Sequence, residues 1–347
     1  MVGVISTAQY AYAYGWVSAL PQSLGKEAYE RLILSRSVEE IVASLEGTAY
    51  SEEVSLGVRK HPDGGGMEVD IREIEKAITK SYVDICKNVI SALPMGVRDG
   101  ARAVMMDEWD VVNIKRVLRG IVNGMSGEKI MMDIGAIGNI KEETLNEMAS
   151  GDLRSALEKI NQLGYALDTT ETYLFEIESM LDRILIARWL REVEKIKDLR
   201  DIVGIQIDMY NLRALLRHKL SNIDTSKFMG KTVVGRYLNA GMLNEIASAA
   251  GGRGIVDSLM DILSRTHYGG VFQDALENFK KTGSFEKLEL EIEKSLSGFV
   301  LQEMPLTLGY IISYLRRMRI DARNIRVMLV CKSHEIEPEE IRELVVF

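Results

Sequence analysis

The chain has 347 residues, 46% of them hydrophobic and 27% charged, values typical of a soluble, well-packed protein. Its net charge of −8 disfavours a general nucleic-acid binder, which needs clustered Lys and Arg, and disfavours adhesion to anionic lipid by charge alone. Only 5 prolines and many helix-forming residues favour helix almost throughout, and strand signals are weak.

The N-terminal region predicts short helices. An aromatic-rich helix is expected over residues 7–19, ending before Pro21, and a second begins near Lys26. Ser37 is a candidate N-cap for a third helix, with Glu40 completing a capping box. No basic region or small-residue cleavage site indicates a signal peptide, and no apolar run is long enough to cross a bilayer.

This region is the first of three similar modules. Each carries a helix, a break and a second helix, and each ends in a tyrosine. The leading leucines are spaced by 113 and 98 residues, and the leading and closing residues are Leu32 and Tyr50, Leu145 and Tyr165, and Leu243 and Tyr268.

Long amphipathic helices are expected between the modules, over residues 68–91 and 170–197, with Tyr173 on the apolar face of the second. Residues 60–66 read as an exposed glycine-rich loop. Without a following Lys-Ser/Thr, this loop gives only weak support for phosphate binding.

A second pattern also occurs three times. It reads Asp-x-x-Asn-(Ile/Leu)-(Lys/Arg)-x-x-Leu, and its copies lie 98 and 113 residues apart. The motif residues are Asp110, Asn113 and Leu118; Asp208, Asn211 and Leu216; and Asp321, Asn324 and Leu329. Two independent repeats predict one triplicated helical domain spanning residues 1–347, with units of roughly 29–130, 145–228 and 243–341.

On a helix, the Asp, Asn and Leu positions fall on one face. A buried asparagine is costly unless it is hydrogen-bonded, so each is expected to have a partner, such as the backbone at an adjoining helix end. The alternative is a metal or catalytic site. A hard cation needs more oxygen ligands than each helix offers, and an enzyme would require Asp110, Asp208 and Asp321 to converge on one solvent-filled pocket.

Other candidate sites have little support. The four histidines are isolated, and the two cysteines, Cys86 and Cys331, have no paired spacing and are expected to be small core residues. The sequence therefore favours structural packing for the repeated motif, and no catalytic, cofactor-binding or metal-binding residues are expected.

The run from Pro305 to Arg326, PLTLGYIISYL followed by DARNIR, resembles the C subunit of archaeal-type (A-type or bacterial V-type) ATP synthases, akin to the d subunit of eukaryotic V-ATPases. The segment around Asp208 and the opening Tyr29-to-Tyr50 segment are similar to the same family, so the resemblance covers essentially the full chain. Two departures occur. Met318-Arg319 replaces the usual Lys-Glu, and Gly15-Trp16-Val-Ser18 replaces paired arginines, which implies altered contacts to neighbouring subunits.

The resemblance implies an all-α protein whose three similar units surround a pseudo-threefold axis and form a funnel with a central recess. It further implies a noncatalytic rotor part without cofactors, peripheral on the cytoplasmic face of the membrane. Its partners would be the proteolipid ring and the central stalk, with no nucleic acid and with membrane contact only through the complex. It leaves open whether protons or sodium ions are moved. The alternative is a helical-repeat adaptor with another partner.

Overall fold

The structure, a computed structural model, describes residues 7–60, 67–132, 134, 138–220, 224–229, 232–249, 254–284, 287–288, 290–292, 294 and 304–346. After a 3₁₀ turn at Thr7–Tyr10, the first half contains α1 (Ala11–Ala19), α2 (Lys26–Leu34), α3 (Val38–Leu45), α4 (Ser51–Leu56), β1 (Val58–Lys60), β2 (Met67–Val69), α5 (Ile71–Ala92), α6 (Met95–Val122), α7 (Gly127–Met132), α8 (Glu142–Ala149) and α9 (Leu153–Gln162). The second half contains α10 (Leu174–Val193), α11 (Lys197–Leu220), α12 (Ser226–Met229), α13 (Ala240–Ser248), α14 (Ile255–Ser264), α15 (Gln273–Thr282), α16 (Leu308–Ser333) and α17 (Pro338–Leu344). The described residues are therefore mostly helical, as the sequence predicts.

The chain divides into two compact units. Unit 1 comprises Met1–Lys195 and Met304–Glu343, so the N-terminal two modules and the C-terminal long helix belong to one body. Unit 2 comprises Ile196–Glu303 and Leu344–Phe347 and is built around α11.

In unit 1, long helices pack in antiparallel pairs. Helix α6 lies against α10, where the indole nitrogen of Trp189 donates to the Ala103 carbonyl at 2.8 Å. Further along the same pair, Lys115 bonds Asp182 at 2.5 Å. Helix α5 packs against α16 in the same unit. These pairs bury apolar stripes at helical spacing, which is the dominant stabilising term for amphipathic helices.

Segments from the two ends of the chain meet in unit 1. The Tyr314 hydroxyl donates to the Pro21 carbonyl at 3.1 Å, and Arg342 pairs with Glu30 at 2.9 Å. The rings of Tyr14 and Tyr310 are 5.2 Å apart. The N-terminal helices α1 and α2 are thus held by α16 and α17.

Helix boundaries follow local capping. The helix expected from Lys26 is confirmed, and the Ser37 hydroxyl accepts from the Glu40 amide at 3.3 Å as predicted. The Glu40 carboxylate, however, accepts from the Arg36 amide, so the capping box forms only in part. Helix α5 begins later than expected because Asp70 caps it by accepting from the amides of Arg72 and Glu73.

Two expectations about local structure are wrong. The sequence pattern places Tyr173 on the apolar face of a long helix, but this residue precedes α10 and its side chain is 70% exposed. The short antiparallel hairpin of β1 and β2, in register with Val58 opposite Val69, gives no recognisable strand signal because each strand has only three residues. The glycine-rich loop between the strands, residues 61–66, lies outside the described residues.

Candidate functional site

The nine residues of the repeated motif are all buried. The aspartates and asparagines are the main polar side chains inside the helical core, beside Ser35, Asp107 and Ser313. A buried carboxylate must find hydrogen-bond donors or it is strongly destabilising. The partners of the three aspartates therefore define what the motif does.

Asp110, on α6, binds the chain just ahead of α8. One of its oxygens accepts from the backbone amides of Asn139 at 2.8 Å and Ile140 at 3.0 Å. The other accepts from the Asn139 side-chain amide at 2.9 Å. The same amide group donates to Asp107 at 2.8 Å, and Asp107 also lies 3.6 Å from the guanidinium of Arg188.

Asp208, on α11 in unit 2, binds the chain just ahead of α13. It accepts from the backbone amides of Arg236 at 3.1 Å, Tyr237 at 2.7 Å and Leu238 at 3.2 Å. The hydroxyl of Tyr268, at the end of the following module, donates to the same carboxylate at 2.9 Å. This aspartate thus joins both ends of one module to α11.

Asp321, on α16, binds residues from the beginning of the chain. It accepts from the backbone amide of Leu24 at 2.8 Å, just ahead of α2. The hydroxyls of Tyr29 and Tyr50 also donate to it, the latter at 2.9 Å. Tyr50 closes the first module as Tyr268 closes the third.

The three sites share one plan. Each motif aspartate accepts from at least one backbone amide in the stretch that leads into a module, and the donors described above differ from one aspartate to the next. Asp110 holds the second module and Asp208 the third, whereas Asp321 holds the first. The repeated motif is therefore a joint between one long helix and the module that follows it in cyclic order.

Two glycines let the backbone approach the carboxylates. A side chain at Gly138 would place its first carbon 2.3 Å from an Asp110 oxygen, and one at Gly235 would place it 2.1 Å from an Asp208 oxygen. Contacts this short are not tolerated. Gly138 lies 28 residues after its aspartate and Gly235 lies 27 after its own, a repeated signal that the sequence reasoning missed.

The motif asparagines have separate roles. The Asn211 side-chain amide donates to the Val233 carbonyl at 2.7 Å, which is the backbone partner expected from the sequence. The side-chain oxygens of Asn113 and Asn324 accept from neighbouring arginines on their own helices, Arg116 and Arg323. These two contacts are long, at 3.4 and 3.3 Å.

Burial governs the electrostatics of the joints. It raises the pKa of Asp321 to about 6, against the opposing effect of its hydrogen-bond donors, and it raises the pKa of Asp208 and of Asp110 as well. Burial likewise raises the pKa of Asp107 to about 6, opposed by the charge of Arg188. The carboxylates are occupied by structural donors, which suits them to holding the backbone in place.

Within the described ranges, no group of three or more His, Cys, Asp or Glu side chains is arranged to hold a metal ion. Cys86 and Cys331 are buried and form no disulfide, as expected of small core residues. In the described part of the chain, none of the helices is both long and apolar enough to cross a bilayer.

Comparison with known proteins identifies the family. Residues 22–344 match the model of the ATP synthase (C/AC39) subunit family. The chain is 27% identical to the C subunit of the A-type ATP synthase of Methanocaldococcus jannaschii, over 99% of this chain and 88% of that protein. It is 24% identical to the corresponding C subunit of Pyrococcus abyssi, over 97% and 90% of the two chains. For the C subunit of Methanothermobacter thermautotrophicus the identity is 26%, over 92% and 85%. The chain therefore belongs to the ATP synthase (C/AC39) subunit family and is a noncatalytic subunit of the rotary ATP synthase complex.

Proposed function

We propose that the protein is the central-rotor subunit that caps the proteolipid ring and seats the central stalk, so that ring rotation is coupled to ATP synthesis or hydrolysis. It would act as a peripheral protein on the cytoplasmic face of the membrane, in contact with the bilayer only through the complex. Its similarity to the C subunits of A-type ATP synthases supports a place in such a machine.

The observation that carries the proposal is the cyclic order of the three aspartate joints. Asp110 on α6 holds the second module, Asp208 on α11 holds the third, and Asp321 on α16 holds the first. If each of three units binds the next and the last binds the first, the three units form a closed ring. This order supports three units, roughly 29–130, 145–228 and 243–341, arranged around a pseudo-threefold axis as a funnel with a central recess.

The joints also suit a part that carries torque. A load applied at one helix reaches the next module through several short hydrogen bonds that are shielded from water, and such bonds are stronger than exposed ones. Lys115–Asp182 at 2.5 Å and Arg119–Glu178 at 2.6 Å tie α6 to α10 along its length. In this proposal, the nine motif residues are the stiffening elements of the rotor rather than contacts to its partners.

The test is restoration of coupling. A membrane ATPase prepared without this protein should retain ATP hydrolysis by its head but lose ATP-driven ion pumping into vesicles. Adding the purified chain should restore pumping, with Asp99→Ala as an exposed-carboxylate control that also restores it. Pumping that is unchanged in the absence of the chain would overturn the proposed function.

A second test concerns the two docking faces. Met95 and Val122 occupy the two ends of α6, a helix of 28 residues and therefore about 40 Å long, and their side chains are 83% and 48% exposed. Cysteines placed at these sites can carry a photo-cross-linker, because both native cysteines are buried. If α6 runs along the axis of the rotor, one site captures a ring protein and the other a stalk protein. Capture of the same partner at both ends would contradict this arrangement.

A further inference from the structure

The two long helices α6 and α10 of unit 1 are joined along one seam by ion pairs. Lys115 bonds Asp182 at 2.5 Å, and Arg119 forms a two-point pair with Glu178, at 2.6 and 2.7 Å. On each helix the two paired residues lie four positions apart and therefore on the same face, because four residues make slightly more than one turn. These two ion pairs fix the register of the antiparallel helices.

The same register identifies the residues that come next along the seam. Val122 lies three residues after Arg119, and Phe175 lies three residues before Glu178, so both continue the faces that carry the ion pairs. The row of ion pairs therefore ends in an apolar pair. Both apolar side chains are largely open to solvent, 48% for Val122 and 55% for Phe175. Apolar side chains on both walls of a groove between two helices are suited to receive a third helix.

Tyr173 extends this apolar surface beyond the start of α10. Its side chain is exposed, although its backbone is held on both sides. The Tyr173 amide donates to the Glu171 carboxylate at 2.7 Å, and its carbonyl accepts from the amide of Ile177 at 3.1 Å. The ring is thus carried by an ordered backbone, so that a partner would not have to order this segment on binding. Val122, Tyr173 and Phe175 together are called the seam-end patch.

The surroundings of the seam-end patch are acidic. Residues 168–178 contain four acidic side chains and no lysine or arginine. One of the four, Glu178, is already paired with an arginine, whereas Asp168 is exposed and Glu171 is half-buried. Residues 120–127, at the end of α6, have no charged side chains, and the last carbonyls of that helix add partial negative charge. Charge complementarity therefore favours a partner that is positively charged.

We propose that the seam-end patch binds one basic, amphipathic helix of a neighbouring protein in the ATP synthase complex, an assignment that rests on the proposed function. Apolar side chains on one face of that helix would pack on Val122, Phe175 and Tyr173. Lysines or arginines beside them would lie near Asp168 and Glu171. A second copy of this chain is a poor fit, because the same acidic groups would face one another. An anionic lipid surface is a poor fit for the same reason.

The first test uses the isolated full chain and a fluorescent peptide built only of leucine and lysine, with leucine at every third or fourth position of a helix. One control peptide has the same composition in scrambled order, and another has glutamate in place of lysine. Fluorescence anisotropy should show saturable binding of the leucine–lysine helix alone. Absence of saturable binding, or equal binding of either control peptide, would overturn the proposal.

Matched variants locate the bound peptide. Tyr173→Ser should weaken binding at least about tenfold, because exposed aromatic side chains are the usual anchors of an interface. Tyr12→Ser changes a tyrosine of nearly equal exposure, 72%, on α1 and should leave binding unchanged. Both residues lie at the surface, so thermal unfolding of both variants should match that of the unmodified chain. Equal affinities of the two variants for the peptide would overturn the proposal.

A second arm uses the whole ATPase, reassembled with a chain that carries a photo-cross-linker at Tyr173→Cys. The label is specific because both native cysteines are buried. The captured segment, identified by mass spectrometry after digestion, should have apolar residues at helical spacing with lysines or arginines beside them. Capture of an acidic segment, of a second copy of the chain or of lipid, or no capture in the reassembled complex, would overturn the proposal.

The two arms separate this proposal from the proposed function. If the unmodified chain fails to reassemble with the ATPase, the proposed function fails. The peptide titration still decides whether the seam-end patch selects basic, amphipathic helices, because it uses the isolated protein. If the chain reassembles but Tyr173→Ser binds the peptide as well as the unmodified chain does, the proposed function stands and the seam-end patch is not the docking site.

Discussion

The Asp110 joint and the Asp208 joint bind equivalent stretches of chain with different donors. Asp208 takes three backbone amides and the hydroxyl of Tyr268. Asp110 takes two backbone amides and the side-chain amide of Asn139. Tyr165, which ends the second module, lies near Asp110, but its side-chain partner is Arg188. The buried carboxylate and the backbone amides that it accepts from are therefore common to both joints, whereas the side-chain donor differs, an amide at Asp110 and a tyrosine hydroxyl at Asp208.

The two joints differ in a second way. Among the described residues, only the Asp110 joint carries another buried carboxylate, Asp107, which shares the Asn139 amide group and lies near Arg188. The corresponding positions before Asp208 and Asp321 are Ile205 and Met318, which are apolar. The Asp110 joint is thus a wider polar network, in which one acceptor or donor can partly replace another.

Removal of a joint carboxylate should have the largest effect on stability, and the size of the loss should differ between the joints. Asp321→Ala and Asp208→Ala leave several buried donors without an acceptor, and each should lower the free energy of unfolding by about 3–5 kcal/mol. Asp110→Ala should cost less, about 2–3 kcal/mol, because the Asn139 side-chain amide still has Asp107 as an acceptor. Urea unfolding measures the loss.

Hydrogen exchange locates the same effect. Protection should fall in residues 24–50 for Asp321→Ala, in 236–268 for Asp208→Ala and in 138–165 for Asp110→Ala. Asp99→Ala, at an exposed site, is the control. Uniform loss of protection in all three variants would contradict the idea of three separate joints.

Glycine substitutions should have the next largest effect. Gly235→Ala brings a methyl group to 2.1 Å from Asp208 and 2.4 Å from the Gly204 carbonyl, and Gly138→Ala brings one to 2.3 Å from Asp110. Each should destabilise by about 2–4 kcal/mol as the backbone moves off the carboxylate. Gly15→Ala, with open space around it in α1, should be neutral or slightly stabilising. Thermal unfolding of the three variants tests this, and equal behaviour would refute the close approach.

Removal of the tyrosine hydroxyls should show which joints use them. Tyr268→Phe and Tyr50→Phe each delete one buried donor to a carboxylate and should cost about 1–2 kcal/mol in urea unfolding. Tyr165→Phe should cost less than either, because the partner of that hydroxyl is Arg188 rather than Asp110. If Tyr165→Phe lowered the free energy of unfolding as much as the other two variants, the Asp110 joint would depend on its tyrosine hydroxyl in the same way as the other two joints.

The smallest effect concerns pH and Asp107. Its pKa is about 6 in the folded chain, above the ordinary value of 3.8, so the folded state takes up the proton first as pH falls. The contribution of Asp107 to stability should therefore grow by about 1 kcal/mol between pH 7 and pH 5. Asp107→Asn should remove this increment, which unfolding curves at the two pH values would reveal. Asp321, whose pKa is also about 6, supplies a change of the same sign in both proteins, and an identical pH response of the two would contradict the assignment.

The sequence predicted the helices better than the joints. Periodic apolar residues and caps such as Ser37 locate α2 and α3, because those signals are local. The partners of Asp321 were not predictable in the same way, since a backbone amide such as that of Leu24 carries no sequence signature. Gly138 and Gly235 were the available clue, a glycine at nearly constant distance after each of two aspartates. The hairpin of β1 and β2 was missed because three residues are too few to show a period.

The bond between Leu24 and Asp321 spans 297 positions of the polypeptide. During synthesis, the opening helices leave the ribosome long before the helix that will hold them has been translated. Contacts so distant in sequence form late, because a long loop must close first. The tyrosine hydroxyls of the nascent first module must therefore stay in water until the helix that carries Asp321 has been translated.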